Sequence, residues 1–96
     1  MSADLDPHLV PPARLKLTTM LAAVSEAEFA TVRDALDVSD SVLSKHAGAL
    51  QDAGYVRRRK GVHRGRRTTW LALTDGGRRA LSAHVGVLRA LIDGVD

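Results

Sequence analysis

Positive charge is concentrated in one short segment of this 96-residue sequence. Seven of the 14 Lys and Arg residues fall within residues 57–67, namely Arg57, Arg58, Arg59, Lys60, Arg64, Arg66 and Arg67. The rest of the chain carries seven basic and eleven acidic side chains, a net charge of −4. A basic segment on an acidic body indicates a shaped anion-binding element rather than general adhesion to polyanions.

Two stretches with strand character enclose the tip of this segment. Residues 55–60 and 68–73 draw their apolar content mainly from Tyr, Val, Trp and Leu, and the second stretch alternates with a period of two. Between them, residues 61–67 are rich in Gly and positive charge, which predicts a turn. The segment is therefore a predicted β-hairpin. Its tip can follow phosphates or enter a narrow minor groove through Arg64, Arg66 and Arg67.

The hairpin directly follows a predicted helix-turn-helix over residues 31–54. Thr31 is predicted to cap the first helix, and Ser39 the second helix after a turn at Asp37-Val38. An apolar stripe on the second helix is formed by Leu43, Ala47 and Leu50. Gly54 suits the left-handed residue that ends such a helix. A unit of this kind usually presents its second helix to the major groove of DNA, and a hairpin placed after it is a wing.

On the second helix, Ser41, Ser44 and Lys45 lie opposite the apolar stripe and are candidate contacts to bases or phosphates. His46 borders the core, where packing is as plausible as a DNA contact. Gly48 either allows the helix to approach DNA or the wing closely or is a tolerated weak spot in the helix. With the cap residue and the wing, the candidate DNA-binding residues are Ser39, Ser41, Ser44, Lys45, His46, Arg58, Lys60, His63, Arg64, Arg66 and Arg67.

The flanking segments predict two further helices and a minimal strand. Residues 13–24 carry apolar side chains at helical spacing, residues 28–30 are predicted as a short strand, and Thr74 can cap a last helix. The last helix has an apolar stripe that is long for so small a domain. We expect part of it to face a second copy, although it can instead cover the first helix within one chain. The candidate dimer residues are Leu9, Leu15, Leu81, Val85, Leu88, Leu91, Ile92 and Val95.

Other chemistry finds little support in the sequence. It has no cysteine, so disulfides and thiolate metal sites are excluded. The four histidines are scattered without metal-ligand spacing, and no P-loop, dinucleotide fingerprint or catalytic motif occurs. We therefore predict no enzyme, no metal and no cofactor. Without a signal peptide or an apolar run long enough for a membrane span, we expect a cytoplasmic protein with no membrane partner.

These residues resemble the winged-helix transcriptional regulators of the MarR/ArsR type, and most closely their short, stand-alone members. The resemblance extends from about Leu5 to Ile92 and is carried by S-D-S-x-L-S-K-H at residues 39–46, A-G-Y-V at 53–56, the basic hairpin, and W-x-x-L-T-x-x-G at 70–77. It implies homodimers that bind operator DNA and associate through their first and last helices. The family often has Leu and a polar or basic residue at the positions of Ala47 and Gly48. The Cys or His clusters of metal sensors are missing here.

The expected fold class is α+β, a winged helix-turn-helix forming one domain over residues 1–96, with the wing at 55–73 and a dimerisation helix at 75–95. The expected function is sequence-specific binding of double-stranded DNA by a homodimeric, repressor-like transcriptional regulator. A small-molecule effector is compatible with the resemblance, but its pocket is not carried over to this shorter chain. The alternative is a winged-helix interaction module whose basic hairpin docks an acidic protein partner.

Overall fold

The computed structural model describes residues 4–95, which form four helices and a three-stranded antiparallel sheet. In chain order the elements are α1 (Pro12–Ala22), β1 (Ala27–Glu28), α2 (Phe29–Leu36), α3 (Asp40–Asp52), β2 (Val56–His63), β3 (Arg66–Leu73) and α4 (Asp75–Asp93). The sheet order is β1-β3-β2. The predicted winged helix-turn-helix is confirmed: α2 and α3 form the helix pair, and β2 and β3 form the wing.

The predicted signals at the start and end of α3 and at the start of α4 act as expected, whereas α4 ends at Asp93, before its predicted end at residue 95. The Ser39 hydroxyl accepts a hydrogen bond from the Val42 amide at 3.2 Å, and the Thr74 hydroxyl accepts one from the Gly77 amide at 2.9 Å. Gly54 has φ +81°, the left-handed conformation that a glycine adopts without steric cost. The two caps and the glycine therefore define where the recognition helix, the wing and the last helix meet.

The predicted start of the first helix of the pair and both predicted ends of the short strand before it were wrong. The first helix of the pair begins at Phe29, so Thr31 lies within it rather than capping it, and the short strand is Ala27–Glu28. Pairing of β1 with β3 (Ala27 with Leu71) holds the backbone extended as far as Glu28, and Phe29 then packs against the core. Sequence periodicity cannot reveal a two-residue strand, because its existence depends on a partner far along the chain.

The two strands of the wing are longer, and its turn is tighter, than the sequence predicts. Pairing of β2 with β3 continues to His63 and Arg66, which leaves only Arg64-Gly65 in the turn instead of residues 61–67. Both turn residues have positive φ, +53° and +78°, as a two-residue hairpin turn that matches the strand twist requires. The wing is thus an eight-residue ladder on each side.

The first helix ends at Ala22, two residues before its predicted end at Val24. The guanidinium of Arg78 on α4 donates to the carbonyl of Ala22 at 2.9 Å and to that of Val24 at 3.3 Å. Helix-terminal carbonyls lack intrahelical partners, and here a side chain from the last helix supplies them. The end of α1 is therefore tied to α4 by this arginine.

The core is built almost entirely from aliphatic side chains. The largest fully buried apolar residues are Leu9, Leu17, Leu21, Val32, Leu43, Leu50 and Leu71. None of Phe29, Tyr55 and Trp70 belongs to this fully buried set, since each is only partly covered. Because shape matching among branched aliphatic residues holds such a core together, single truncations within it leave cavities that the neighbours fill poorly.

A polar cluster attaches the N-terminal segment to the body. The Tyr55 hydroxyl donates to Asp6 Oδ2 at 2.6 Å, and the Asp6 amide donates to Nδ1 of His84 at 3.0 Å. His84 is only 3% exposed, so it is a packed histidine of α4. The segment that the cluster anchors places Leu9 in the core with no exposed surface.

Gly77 on α4 lies where a methyl group cannot fit. A Cβ at this position would overlap the carbonyl oxygen of Tyr55 and approach Leu73 Cδ1 to 2.7 Å. We expect Gly77→Ala to destabilise the fold by about 1–3 kcal/mol, the usual cost of overpacking. A methyl group on Gly86, in the same helix, would have no other atom within 4 Å, so Gly86→Ala should add up to about 1 kcal/mol through helix propensity.

Urea denaturation followed by circular dichroism measures both variants, and Gly86→Ala is the matched control. Equal effects of the two substitutions would contradict the close packing of α4 on the backbone at Tyr55.

Candidate nucleic-acid interface

α3 presents a polar, sparsely charged side to solvent. Leu43, Ala47 and Leu50 are buried beneath it, as predicted. Ser41, Ser44 and Lys45 are exposed on the other side. Short hydroxyls and one lysine are compatible with an approach to base edges and phosphates, and the free amides of the first helical turn add donors for a phosphate.

The start of α3 is electrostatically balanced by α2. Nη1 of Arg33 forms an ion pair with a carboxylate oxygen of Asp40 at 2.8 Å, and Nε of the same arginine forms one with Asp34 at 2.9 Å. These two carboxylates raise the pKa of Arg33 further above its ordinary value, with the hydrogen bond to Asp34 as the largest cause. Ser39 is committed to its cap and also lies 3.2 Å from the Ser41 hydroxyl. Arg33 therefore offsets the negative charge that Asp40 brings to the recognition helix.

His46 lies in the contact between α1 and α3. The Nε–H group of Arg14 donates to His46 Nδ1 at 3.1 Å, which requires that nitrogen to be unprotonated. Burial, and then the charges of Arg14 and Lys45, lower the pKa of His46 below 6.5. The structure thus assigns His46 a structural partner within the chain, a role that its position beside the apolar stripe had left open.

Gly48 lies beneath an arginine of the wing. Nη2 of Arg58 donates to the carbonyl of Ser44 at 3.2 Å, and a Cβ on Gly48 would lie 3.1 Å from that same nitrogen. The guanidinium therefore rests on α3 in the space that a side chain at position 48 would occupy. Close approach to the wing, one of the roles that the sequence left open for Gly48, is therefore what the structure shows, although helical spacing alone could not identify Arg58 as the partner.

The wing has two faces with different surroundings. Directly paired residues on antiparallel strands share a face, and the register pairs Lys60 with Thr69 and Val62 with Arg67. Arg58 contacts α3, so we call the face to which it belongs the α3-side face. This face consists of Arg58, Lys60, Val62, Arg67 and Thr69. The rear face consists of Arg57, Arg59, His63, Arg66 and Trp70. The predicted DNA-binding residues His63 and Arg66 thus lie on the opposite face from Lys60 and Arg67.

Two acidic side chains in and just before β1 offset part of the positive charge on the rear face. Arg59 forms a two-point ion pair with Glu26 at 2.6 and 3.3 Å, and its guanidinium lies 5.6 Å from the Trp70 ring centroid. Glu28 accepts from the Thr68 hydroxyl at 2.9 Å and lies 4.0 Å from His63 Nε2. From the sequence, Glu28 was expected only to begin a short strand, and Glu26 had no predicted role. Their acidic character was the available signal that they oppose a basic strand.

The α3-side face has no such compensation within the described residues. Lys60 and Arg67 are exposed and form no ion pair with any carboxylate of residues 4–95, and Arg64 lies at the exposed turn. Exposed, unpaired basic side chains on a ladder that begins beside α3 are chemically suited to contact anions such as phosphates. Throughout the same part of the chain there is no cluster of His, Cys, Asp or Glu suited to a metal ion.

The predicted dimer residues divide into three groups. Leu9 has no exposed surface and Leu81 is 8% exposed, so both belong to the core of their own chain. Leu9 in particular cannot contact a second copy, because the N-terminal segment folds it inward. Leu15, Val85 and Leu88 are half-buried. The largest exposed apolar surface on α4 and just beyond it comes from Leu91, Ile92 and Val95, at 57%, 68% and 75% exposed.

Comparison with known proteins agrees with this geometry. A family profile described as the winged helix DNA-binding domain matches residues 13–92. A transcriptional regulator homologue from Pyrococcus horikoshii OT3 is 30% identical, with a TM-score of 0.86 over 93% of this chain and 88% of that one. An uncharacterised protein of Methanocaldococcus jannaschii is 29% identical over 72 residues, covering 75% of this chain and 78% of that protein.

The chain belongs to the winged helix DNA-binding domain family. Its fold is also that of a MarR family transcriptional regulator from Streptomyces coelicolor, with a TM-score of 0.75 and 24% identity over 92% of this chain and 61% of that one. The winged-helix resemblance read from the sequence is therefore confirmed, and the likeness to MarR-type regulators extends to the fold. The protein is a DNA-binding protein rather than an enzyme, and none of its described helices meets the length and hydropathy needed to cross a membrane.

The environment of His46 predicts a pH-dependent stability. The pKa of His46 in the folded protein lies below 6.5, its ordinary value in an unfolded chain. At a pH between these two pKa values, the imidazole is therefore protonated more fully in the unfolded chain than in the folded protein. Stability from this group is complete above pH 6.5 and is lost as the pH falls toward the folded pKa. We expect the urea midpoint of the protein to fall between about pH 7.5 and about pH 5.5 by more than that of His46→Asn.

Asparagine keeps an acceptor oxygen near the position of Nδ1 but cannot be protonated, so it serves as the control. An equal loss of stability in both proteins on acidification would show that the Arg14–His46 contact does not depend on the protonation of His46.

Proposed function

We propose that this protein is a sequence-specific, double-stranded-DNA-binding regulator of transcription that acts as a homodimer in the cytoplasm, in the manner of a repressor. α3 enters the major groove, and the α3-side face of the wing contacts the adjacent backbone. The observation that carries the proposal is the unequal charge of the two faces of the wing. No carboxylate of the described residues pairs with Lys60 or Arg67 on the side of α3, whereas on the rear face Glu26 pairs with Arg59 and only Arg57 and Arg66 stay unpaired.

This asymmetry suits DNA better than a diffuse polyanion. A duplex lying along α3 meets the exposed serines and Lys45 first, and then the basic residues of the α3-side face. Phosphate contacts supply most of the affinity of such an interface, whereas base contacts determine sequence preference. Because α3 itself offers few charged groups, the wing contributes the larger share of the binding free energy.

The end of the last helix supports the homodimer. Leu91, Ile92 and Val95 continue the buried stripe of α4 beyond the part of the helix that packs on the body. A second copy covering this apolar surface would remove it from water. Two winged helices related by a two-fold axis would then face half-sites about 34 Å apart, one turn of B-DNA, or a multiple of that distance.

The wing proposal is tested by removing equal charge from its two faces. We expect Lys60→Ala/Arg67→Ala to reduce the slope of log affinity against log salt for random duplex DNA by about 2, because two phosphate contacts are lost. The control is Arg57→Ala/Arg66→Ala, which removes the same charge from the rear face and should change the slope by much less. Fluorescence anisotropy titrations at several salt concentrations provide the measurement.

Equal losses in the two double variants would mean that net charge, and not the α3-side face, determines binding. If the unmodified protein bound no duplex DNA at physiological salt, the proposal would fail as a whole. The basic hairpin would then be better explained by an acidic protein partner.

The dimer is tested by placing a charge on the exposed apolar surface. We expect Ile92→Lys to convert the protein to a monomer in sedimentation equilibrium and to weaken specific DNA binding at least about tenfold, because the linkage between half-sites is lost. Ala90→Lys adds the same charge at an exposed position on the other side of α4 and is the control. A dimer that persists in Ile92→Lys would exclude this surface as the interface.

A further inference from the structure

The middle of the recognition helix lacks a side chain at the position where a DNA contact would be most effective. Gly48 lies on the same side of α3 as Ser44 and Lys45, one helical turn beyond Ser44. A glycine inside a helix lowers helix stability by about 1 kcal/mol relative to alanine, so a glycine in the middle of α3 calls for a structural reason. The space above it is filled by Arg58, which comes from β2.

The contacts of Arg58 hold its guanidinium against α3. Nη2 donates to the Ser44 carbonyl at 3.2 Å. In an α-helix this carbonyl is the hydrogen-bond partner of the amide four residues later, which is that of Gly48. The Nε atom of Arg58 is buried and has no hydrogen-bond partner within the described structure. The stem of the side chain is thus enclosed between the wing and α3, and its end lies on the surface that α3 presents to solvent.

From this arrangement we infer that Arg58 serves as the base-reading side chain of the recognition helix, donating to the O6 and N7 atoms of a guanine in the major groove. Gly48 is the slot that admits it. The recognition surface is then composite, with the backbone of α3 supporting a side chain supplied by the wing. The inference rests on the proposed function, in which α3 lies in the major groove.

The chemistry of the neighbouring residues supports a guanine rather than a phosphate as the ligand of Arg58. Arg58 brings a planar fork of donors to the side of α3 that carries Ser44 and Gly48, and this fork matches the two acceptors on a guanine edge. Ser44 is short, and Lys45 is a point charge. In the proposed docking the middle of α3 faces the floor of the groove. Lys60 lies two residues beyond Arg58 on β2, and Arg67 pairs with Val62 farther along the wing, so both are nearer the wing tip, where phosphate contacts are expected.

The inference is tested by selecting bound sequences from a pool of duplexes with a randomised central region. We expect the unmodified protein to select a guanine at one position in each half-site. Arg58→Lys should lower the preference for that guanine about tenfold, while leaving the salt slope unchanged because the charge is retained. Arg57→Lys, the same substitution on the neighbouring residue of the rear face, should select the original sequence.

Gly48→Ala provides a second, independent variant. Its Cβ would lie 3.1 Å from Nη2, so the guanidinium must shift while the helix gains a better helix former. We expect a reduced guanine preference together with a thermal midpoint that is unchanged or raised. Lower specificity without lower stability separates a reading role for Arg58 from a merely structural one.

Three outcomes would overturn the inference. The first is an Arg58→Lys protein that selects the same guanine as strongly as before. The second is an Arg58→Lys protein that binds all sequences more weakly by one factor, which is the behaviour of a phosphate contact. The third is an unmodified protein that enriches no sequence while binding duplex DNA, and this result would overturn the proposed sequence-specific function as well.

Discussion

The backbone at Gly54 and Tyr55 is the point on which the rest of this structure depends. The left-handed glycine ends α3, and the Tyr55 amide donates to the Leu50 carbonyl at 2.9 Å. The Tyr55 carbonyl accepts from Thr74 at 3.0 Å, which closes the base of the wing, and it packs directly against Gly77. The Tyr55 hydroxyl holds the N-terminal segment through Asp6. Four parts of the chain thus take their positions from two residues, and the angle between the recognition helix and the wing is set there.

This junction explains how a small aliphatic core can support a defined DNA-binding surface. Each hydrogen bond at the junction contributes about 1 kcal/mol, but together they restrict the directions in which α3, β2 and α4 can leave it. Arg58 adds a second tie between α3 and the wing at the level of Ser44. The surface is therefore held at two separate points, which limits rotation of the wing about its base.

The two faces of the wing differ in charge because acidic neighbours reduce the positive charge of the rear face, not because the α3-side face carries additional basic residues. Lys and Arg are spread along both strands, and a solvated hairpin of this composition would attract anions from every direction. Glu26 and Glu28 lie beside the rear face and pair with Arg59 and Thr68. Arg57 and Arg66 keep some positive charge on the rear face, since neither forms an ion pair within the described residues, whereas on the α3-side face no basic side chain has an acidic partner among them. Two acidic residues of a minimal strand and the turn before it thus give direction to a basic segment far along the chain.

The sequence by itself determined the order of the elements and the helix ends that are marked by capping residues, because these depend on short-range chemistry. Ser39, Gly54 and Thr74 act on backbone groups within a few residues, and the stripe of Leu43, Ala47 and Leu50 follows from helical spacing alone. Only the tertiary structure decided the start of α2 at Phe29 and the two-residue wing turn, since both depend on pairing with distant strand residues. It also decided which arginines are paired and which are free. The rear partners of the wing and the place of Arg58 over Gly48 join residues that a linear pattern does not bring together, because a contact between elements follows from packing and not from spacing.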